Sequence, residues 1–211
     1  MIKEGAFIWY PKENRGYYPV QGIAKYNDAY FDKYFSYEST EIGIALNNFR
    51  TSLVNTYVGP DEQILDIGVG CGSFIKQRRN CLGYDINKKS VDWLIDRDIF
   101  FDPYFATSFN GLDPKTIKGI TFFDSLEHIE KMEIMLERIN YQWVFISIPI
   151  FKDLPHILSS KHFRPDEHFH YFTQWSFITF MLKEGFKLYE ARDDEIKIGR
   201  EDIYTYVFRR V

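Results

Sequence analysis

The feature that most constrains this fold is a glycine-rich turn placed directly after a short apolar run. Residues 63–67 run into the stretch Leu65-Asp66-Ile67-Gly68-Val69-Gly70-Cys71-Gly72. An apolar run of this length, ended by glycines, reads as a buried strand, and a short helix is expected after Gly72. In open parallel sheets, ligands bind at the carboxyl ends of such strands. Glycines there let the backbone approach a ligand closely. The helix start beyond them offers free N–H groups and the positive end of a dipole to an anion.

The pattern continues along the chain. Further strands are expected at 81–86, weakly at 98–101, at 119–123 and at 143–148, the last closed by Pro149. Helical periods fall between them, over 44–57, 88–96 and 125–139. In the last, Leu126, Ile129, Met132, Leu136 and Ile139 share a face. Strands that alternate with helices predict a parallel α/β sheet. Thr173 is a natural N-cap for a helix through Trp175, Ile178, Met181 and Leu182 that Gly185 ends. Residues 186–192 and 203–209 read as two strands joined by a polar loop, which adds an antiparallel hairpin to the sheet. Residues 1–60 are rich in Tyr and Phe and read as irregular chain followed by a helix. The division expected is an aromatic N-terminal cap or helical extension over 1–60 and an α/β domain over 61–211.

The turn excludes two common ligand motifs. A dinucleotide loop needs G-x-G-x-x-G, and from Gly68 and Gly70 the third position is Ser73. From Gly70 and Gly72 it is Ile75. No Gly-Lys-Ser/Thr follows, so the nucleotide-triphosphate loop fails as well. What remains is D-x-G-x-G-x-G. Asp85 follows Asp66 by nineteen residues and ends the second strand. An acidic side chain at about that distance accepts hydrogen bonds from ribose hydroxyls and repels a 2′-phosphate.

Charge and cysteine content narrow the classes further. The 211 residues carry a formal net charge of −4, whereas a domain that lives by neutralising phosphates is usually basic. Nucleic acid is therefore a disfavoured partner. Cys71 and Cys81 are the two cysteines, without a CxxC pair or Cys/His framework. They suit a reducing, cytoplasmic setting. No stretch reaches the roughly 20 apolar residues of a membrane span, and the first ten residues do not read as a signal peptide.

The loop from Asp66 to Gly72, taken with Asp85, resembles the first motif of class I S-adenosylmethionine-dependent methyltransferases. The likeness extends to small-molecule members and to methyltransferase-like proteins of bacteria and their phages. It implies a Rossmann-like sheet of seven strands in the order 3-2-1-4-5-7-6, the last antiparallel, flanked by helices. It implies cofactor contacts from Asp66, Gly68, Gly70, Gly72, Asp85 and Ile86. Phe122-Phe123-Asp124-Ser125-Leu126-Glu127-His128-Ile129 is similar to the family's D-x-L-E-H segment after the fourth strand, so Asp124, Ser125 and His128 would lie under the methionine part. Asp102 would stand near the adenine; as Asp102-Pro103 it equally suits a turn opener. Tyr26, Tyr30, Tyr34 and Tyr37 with Arg50 resemble the cap helices that such families lay over the cofactor.

Residues 149–173 have the length and polarity of an active-site lid. Within it, His162 to Thr173 resembles the segment that precedes the last helix of small-molecule methyltransferases. Methyl transfer from a sulfonium is an in-line displacement, which needs alignment, water exclusion and a base for an O–H or N–H acceptor. His168 and His170 are the expected bases, with Glu167 to orient them and His128 as a further candidate. The same histidines equally suit a structural network. Glu167, His168 and His170 carry metal-ligating groups, but no further ligand at helical or hairpin spacing supports a metal site, and none is expected. Tyr30, Tyr34, Arg164 and Tyr171 are the expected acceptor contacts, Arg164 through an acidic group of the substrate.

The expected activity is methylation of an oxygen or nitrogen on a small, possibly sugar-type, acceptor. Two other readings stand beside it. A nucleic-acid methyltransferase acting on amino groups would carry an N-P-P-Y-type tetrapeptide where Asp124-Ser125-Leu126-Glu127 stands. A non-catalytic protein that binds the cofactor would need only the loop.

Overall fold

The computed structural model describes residues 2–4, 6–19, 28–104, 116–138 and 143–211. The elements, in chain order, are strands β1 (Ile2–Glu4), β2 (Phe7–Tyr10) and β3 (Arg15–Tyr17), helices α1 (Asp28–Tyr37) and α2 (Glu41–Tyr57), and β4 (Ile64–Ile67). Next come α3 (Ser73–Gln77), β5 (Cys81–Tyr84), α4 (Lys88–Ile95), β6 (Gly119–Phe123), a 3-10 turn (Leu126–His128) and α5 (Met132–Arg138). The chain ends with β7 (Trp143–Phe151), α6 (Leu154–Ser159), β8 (His170–Thr173), α7 (Gln174–Lys183), β9 (Phe186–Arg192), α8 (Asp194–Lys197) and β10 (Ile203–Arg210).

The central sheet runs β5-β4-β6-β7-β10-β9. β5, β4, β6 and β7 are parallel, while β10 is antiparallel to both β7 and β9. Six of the seven expected strands take the expected order and the expected terminal hairpin, while β8 adds a further pairing on β7. The third strand shrinks to a single parallel bridge between Phe100 and Gly83.

Alternation along the central strands sends side chains into two cores. Phe122, Val144, Ile146, Tyr206 and Phe208 face a layer with Leu136 of α5 and Phe177 and Met181 of α7. Phe123, Phe145 and Val207 face the other way, against Leu53 and Val54 of α2, Phe74 of α3 and Leu94 of α4. Each fully buried Phe contributes about 1.5–3 kcal/mol of transfer free energy, so burial in these two layers holds the sheet together.

Three expectations meet a different outcome. First, the start of the chain is not irregular: β1, β2 and β3 form an antiparallel meander that joins the sheet through β8, which pairs in parallel with Ile150 and Phe151 of β7. Phe7, Trp9, Phe151, Ile157 and Tyr171 form a third, smaller core beneath it. Second, β7 continues through Pro149. The missing proline N–H costs no ladder bond here, because β6 pairs only as far as Ser147 and the hydrogen bond beyond it runs from Ile150 N–H to the Asp202 carbonyl. Third, the helix expected over 125–139 is broken. His170 Nε2 lies 3.2 Å from the Ile129 carbonyl oxygen and 3.0 Å from that of Glu130. A continuous helix would use those carbonyls for its own ladder.

Thr173 caps α7 as its sequence suggests, accepting from Ser176 N–H, and Gly185 follows the helix at φ +84°. The expected lid is ordered chain carrying α6 and β8.

Candidate functional site

A cavity of about 450 Å³ opens at the carboxyl ends of β4, β5 and β6. Its floor is the glycine turn. Gly68, Gly70 and Gly72 all have positive φ, at +86°, +58° and +81°, which glycine adopts without the penalty paid by other residues. Their surroundings differ. A Cβ at Gly68 would stand 2.4 Å from Ser125 Cβ, and one at Gly72 would stand 2.8 Å from the Trp93 ring. At Gly70 it would meet nothing within 4 Å. Gly68 and Gly72 therefore pack the turn, and Gly70 leaves open space.

Asp85 lines the cavity just beyond β5. One of its carboxylate oxygens accepts from Gly70 N–H at 2.8 Å, and the other accepts from Asn87 N–H at 2.8 Å. Each oxygen keeps further acceptor capacity. Burial pushes the carboxyl up from its ordinary value, and the backbone N–H groups of Asn87, Gly70 and Ile86 oppose that rise. Ser90 Oγ donates to the Gly70 carbonyl at 2.7 Å and fixes the turn from α4. Ile86, beside Asp85, is exposed and also lines the cavity.

Asp66 is buried behind the turn. Thr121 donates to it at 2.5 Å, and burial pushes its carboxyl up to about 7. Ser125 donates to the Ile67 carbonyl and ties the end of β6 to β4.

Asp124 anchors a buried charge network that the sequence did not announce. Arg50 of α2 donates to it at 2.7 Å, and Arg200 donates at 2.9 Å through each of two nitrogens. Both guanidiniums also bond Glu195, which is fully buried and accepts from Ser147 and Thr205 as well. Against the cost of burial, Arg200 and then Arg50 hold the Asp124 carboxyl well below its ordinary value. Two cations and two anions balance, so the network is a rigid, neutral wall. Arg50 lies 145 residues from Glu195 in the chain, which is why no local motif signals the pair.

The roof comes from α1. Phe31, Tyr34 and Tyr37 line the cavity. Glu38, just past α1, accepts from Ser73 at 2.8 Å and from Lys76 at 3.2 Å, so the roof is clamped to α3. Tyr26 lies outside the described residues, as does the side chain of Tyr30.

The sequence-derived site residues therefore divide. The structure brings Asp66, Gly68, Gly70, Asp85, Ile86, Asp124, Ser125, His128 and Tyr34 to one cavity. Gly72, Asp102, Arg164, Glu167, His168, His170 and Tyr171 are not among its lining residues. Asp102 accepts from Tyr104 N–H at 2.8 Å and opens a turn. Arg164 pairs with Glu167 at 3.1 Å within its own loop. Tyr171 packs edge-on against Phe7 in the small core. His170 is held by the two carbonyls that break the helix, and burial lowers its basicity.

His128 lies on the cavity wall with Nδ1 3.1 Å from the Glu167 carbonyl oxygen, and its ring meets that of His168 edge-on at 4.6 Å. Burial holds His128 down to about 4 and lowers His168 as well. Burial, and then the Asp124 charge, push neighbouring Glu127 up to about 8. Glu127, His128 and His168 bring ligand-type atoms within 4.8 Å of one another.

No protein-family model matches the chain, and no curated protein matches it. Solved structures do. Magnesium protoporphyrin IX methyltransferase from Synechocystis PCC 6803, with bound S-adenosylhomocysteine, is 13% identical with a TM-score of 0.61, over 88% of this chain and 96% of that one. A chain in the complex between the Haloferax volcanii Trm112 methyltransferase activator and a putative methyltransferase is 11% identical at 0.63, over 90% and 99%. The Burkholderia thailandensis 1,6-didemethyltoxoflavin-N1-methyltransferase, solved with bound 1,6-didemethyltoxoflavin and S-adenosylhomocysteine, is 13% identical at 0.54, over 87% and 84%. The fold of this chain is the class I methyltransferase fold.

Proposed function

We propose that this chain is an S-adenosylmethionine-dependent methyltransferase acting on an oxygen or nitrogen of a small-molecule acceptor. The observation that carries the reading is the pairing of Asp85 with Gly70 at the edge of a roofed cavity. A carboxylate with acceptor capacity left stands beside a turn whose middle glycine opens onto empty space. Those two features fit a ribose and the chain attached to it. The cofactor, when bound, supplies a methyl group already activated on a sulfonium.

The chain supplies position and exclusion. Asp85 would hold the ribose hydroxyls, and Gly68 and Gly70 would let the backbone lie close to the cofactor. The balanced Arg50–Asp124–Arg200–Glu195 network gives the end of β6 a fixed shape without presenting net charge to a sulfonium. Phe31, Tyr34 and Tyr37 form an aromatic roof that excludes water and suits a planar or apolar acceptor face. Of the expected bases, His128 is the one on the cavity wall. With Nδ1 donating to the Glu167 carbonyl, its lone pair lies on Nε2, and burial, which holds the imidazole down to about 4, makes it a weak proton acceptor near neutral pH.

The test is calorimetric titration with S-adenosylhomocysteine, followed by a screen of hydroxyl- and amine-bearing aromatic acceptors with radiolabelled methyl donor. Cofactor binding with transfer to one acceptor class supports the reading. Tight binding with no transfer to any small acceptor, but transfer to RNA or DNA, would replace it with the nucleic-acid alternative.

A further inference from the structure

Glu127, His128 and His168 form one cluster, of which His128 lines the cavity and the other two lie behind it. Glu127 is 2% exposed and His168 is 3% exposed. Among the described residues, Glu127 Oε2 and His168 Nδ1 make no hydrogen bond, although both are buried polar atoms. Buried polar atoms are nearly always satisfied, so two such atoms in one cluster ask for a partner that the described residues do not supply. The backbone around them is not loose. Phe169 N–H donates to the Glu127 carbonyl at 2.9 Å, and His168 N–H donates to the Arg164 carbonyl at 2.8 Å, so the loop holds His168 against the turn after β6.

The donor atoms are arranged as ligands. One from each residue lies within 4.8 Å of the other two, so a modest side-chain shift brings them to the roughly 3.4 Å spacing of ligands about one tetrahedral ion. The Glu167 carbonyl beside His128 Nδ1 orients that ring and leaves the lone pair on Nε2, the usual role of an outer partner to a metal-bound histidine. Two imidazoles and one carboxylate favour zinc or another first-row transition ion over magnesium or calcium, which prefer all-oxygen sites.

We propose that Glu127, His128 and His168 bind one divalent first-row transition ion at the wall of the cavity. Three protein ligands leave a coordination position for a further ligand, as in catalytic rather than structural sites. Its role rests on the methyltransferase reading. An acceptor hydroxyl bound there would lose its proton to water more readily than a free one. Its oxygen would then bond the methyl carbon as the carbon–sulfur bond breaks and its electrons return to sulfur. His128 would act as ligand and not as proton acceptor.

The experiment is equilibrium dialysis of the purified full chain against zinc after chelator treatment, for the wild type, Glu127→Gln and His168→Gln. Circular dichroism and S-adenosylhomocysteine titration run alongside as fold and cofactor checks. One zinc per chain is expected in the wild type, with affinity weakened by at least about tenfold in each variant and cofactor affinity unchanged. Absence of stoichiometric zinc, or equal affinity in all three proteins, overturns the site. Should the variants misfold, cobalt decides: visible absorption from one bound cobalt, bleached by equimolar zinc, supports the site in the wild type, and no such absorption overturns it. Zinc binding without cofactor binding would remove the methyltransferase reading and keep the ion site. The reverse would remove the ion site alone.

Discussion

The Asp85 carboxylate and the Gly70 N–H meet at 2.8 Å, and this bond joins that from Gly68 N–H to the Tyr84 carbonyl in tying the end of β5 to the turn after β4. The cavity floor is therefore set before any ligand arrives. Less ordering has to be supplied at binding, which favours affinity.

Asp85→Ala removes that tie together with the acceptors proposed for the ribose. Affinity for S-adenosylhomocysteine is expected to fall by about 1–3 kcal/mol, the cost of leaving buried hydroxyls unpaired. Calorimetry reads it directly, and unchanged affinity would take Asp85 out of the site.

Gly68 and Gly70 separate packing from space. Gly70→Ala carries the left-handed backbone penalty of about 1–2 kcal/mol and no clash. Gly68→Ala carries a similar penalty and also drives Cβ into Ser125. Thermal melting should rank Gly68→Ala well below Gly70→Ala. Equal midpoints would contradict the packing at Ser125.

Glu195→Gln should destabilise the fold by about 3–5 kcal/mol, the range for breaking a buried ion pair from one side. Arg50 and Arg200 would be left sharing Asp124 alone. Denaturant titration measures the loss. Glu201→Gln, at the exposed pair with Lys161, is the control and should leave the midpoint near wild type.

Asp66 gives a pH signature. Burial raises its carboxyl to about 7 in the folded chain, against about 3.9 unfolded. Between those values the folded state holds a proton that the unfolded state has released. Stability from this group is present below pH 4 and is lost as pH rises to 7. The stability of wild type relative to Asp66→Asn should therefore fall with pH across that window, by at most about 1.4 kcal/mol per pH unit, and level off above it. Parallel curves for the two proteins would place Asp66 in a solvated site.

His170→Ala should lower stability by about 1 kcal/mol, the net worth of a hydrogen bond, because the partly exposed Ile129 and Glu130 carbonyls lose their shared partner. Cofactor affinity should stay at the wild-type value. A change in affinity with unchanged stability would return His170 to the site.

Much of this was legible in the sequence. The runs at β4, β5, β6 and β7 are short, apolar and bounded by turn residues, and Thr173 and Gly185 bracket α7 with local capping chemistry. Asp66, Gly68, Gly70 and Asp85 were found because their spacing reflects one local device, a strand, a turn and the next strand's end. The meander β1–β3 was not legible, since its strands have only three or four residues and it joins the sheet through the pairing of β3 with β8, more than 150 residues later. The interruption between the 3-10 turn and α5 was hidden for a similar reason: its cause, His170, is distant in sequence. The lid histidines were placed by motif likeness. Their burial depends on Glu127 and Arg164 carbonyls that no spacing reveals.

The most direct test of the central claim is titration of the wild-type chain with S-adenosylhomocysteine, with NAD as the control ligand. The account predicts one S-adenosylhomocysteine per chain, weakened in Asp85→Ala, and no NAD. Binding of NAD in its place, or of neither ligand, would contradict it.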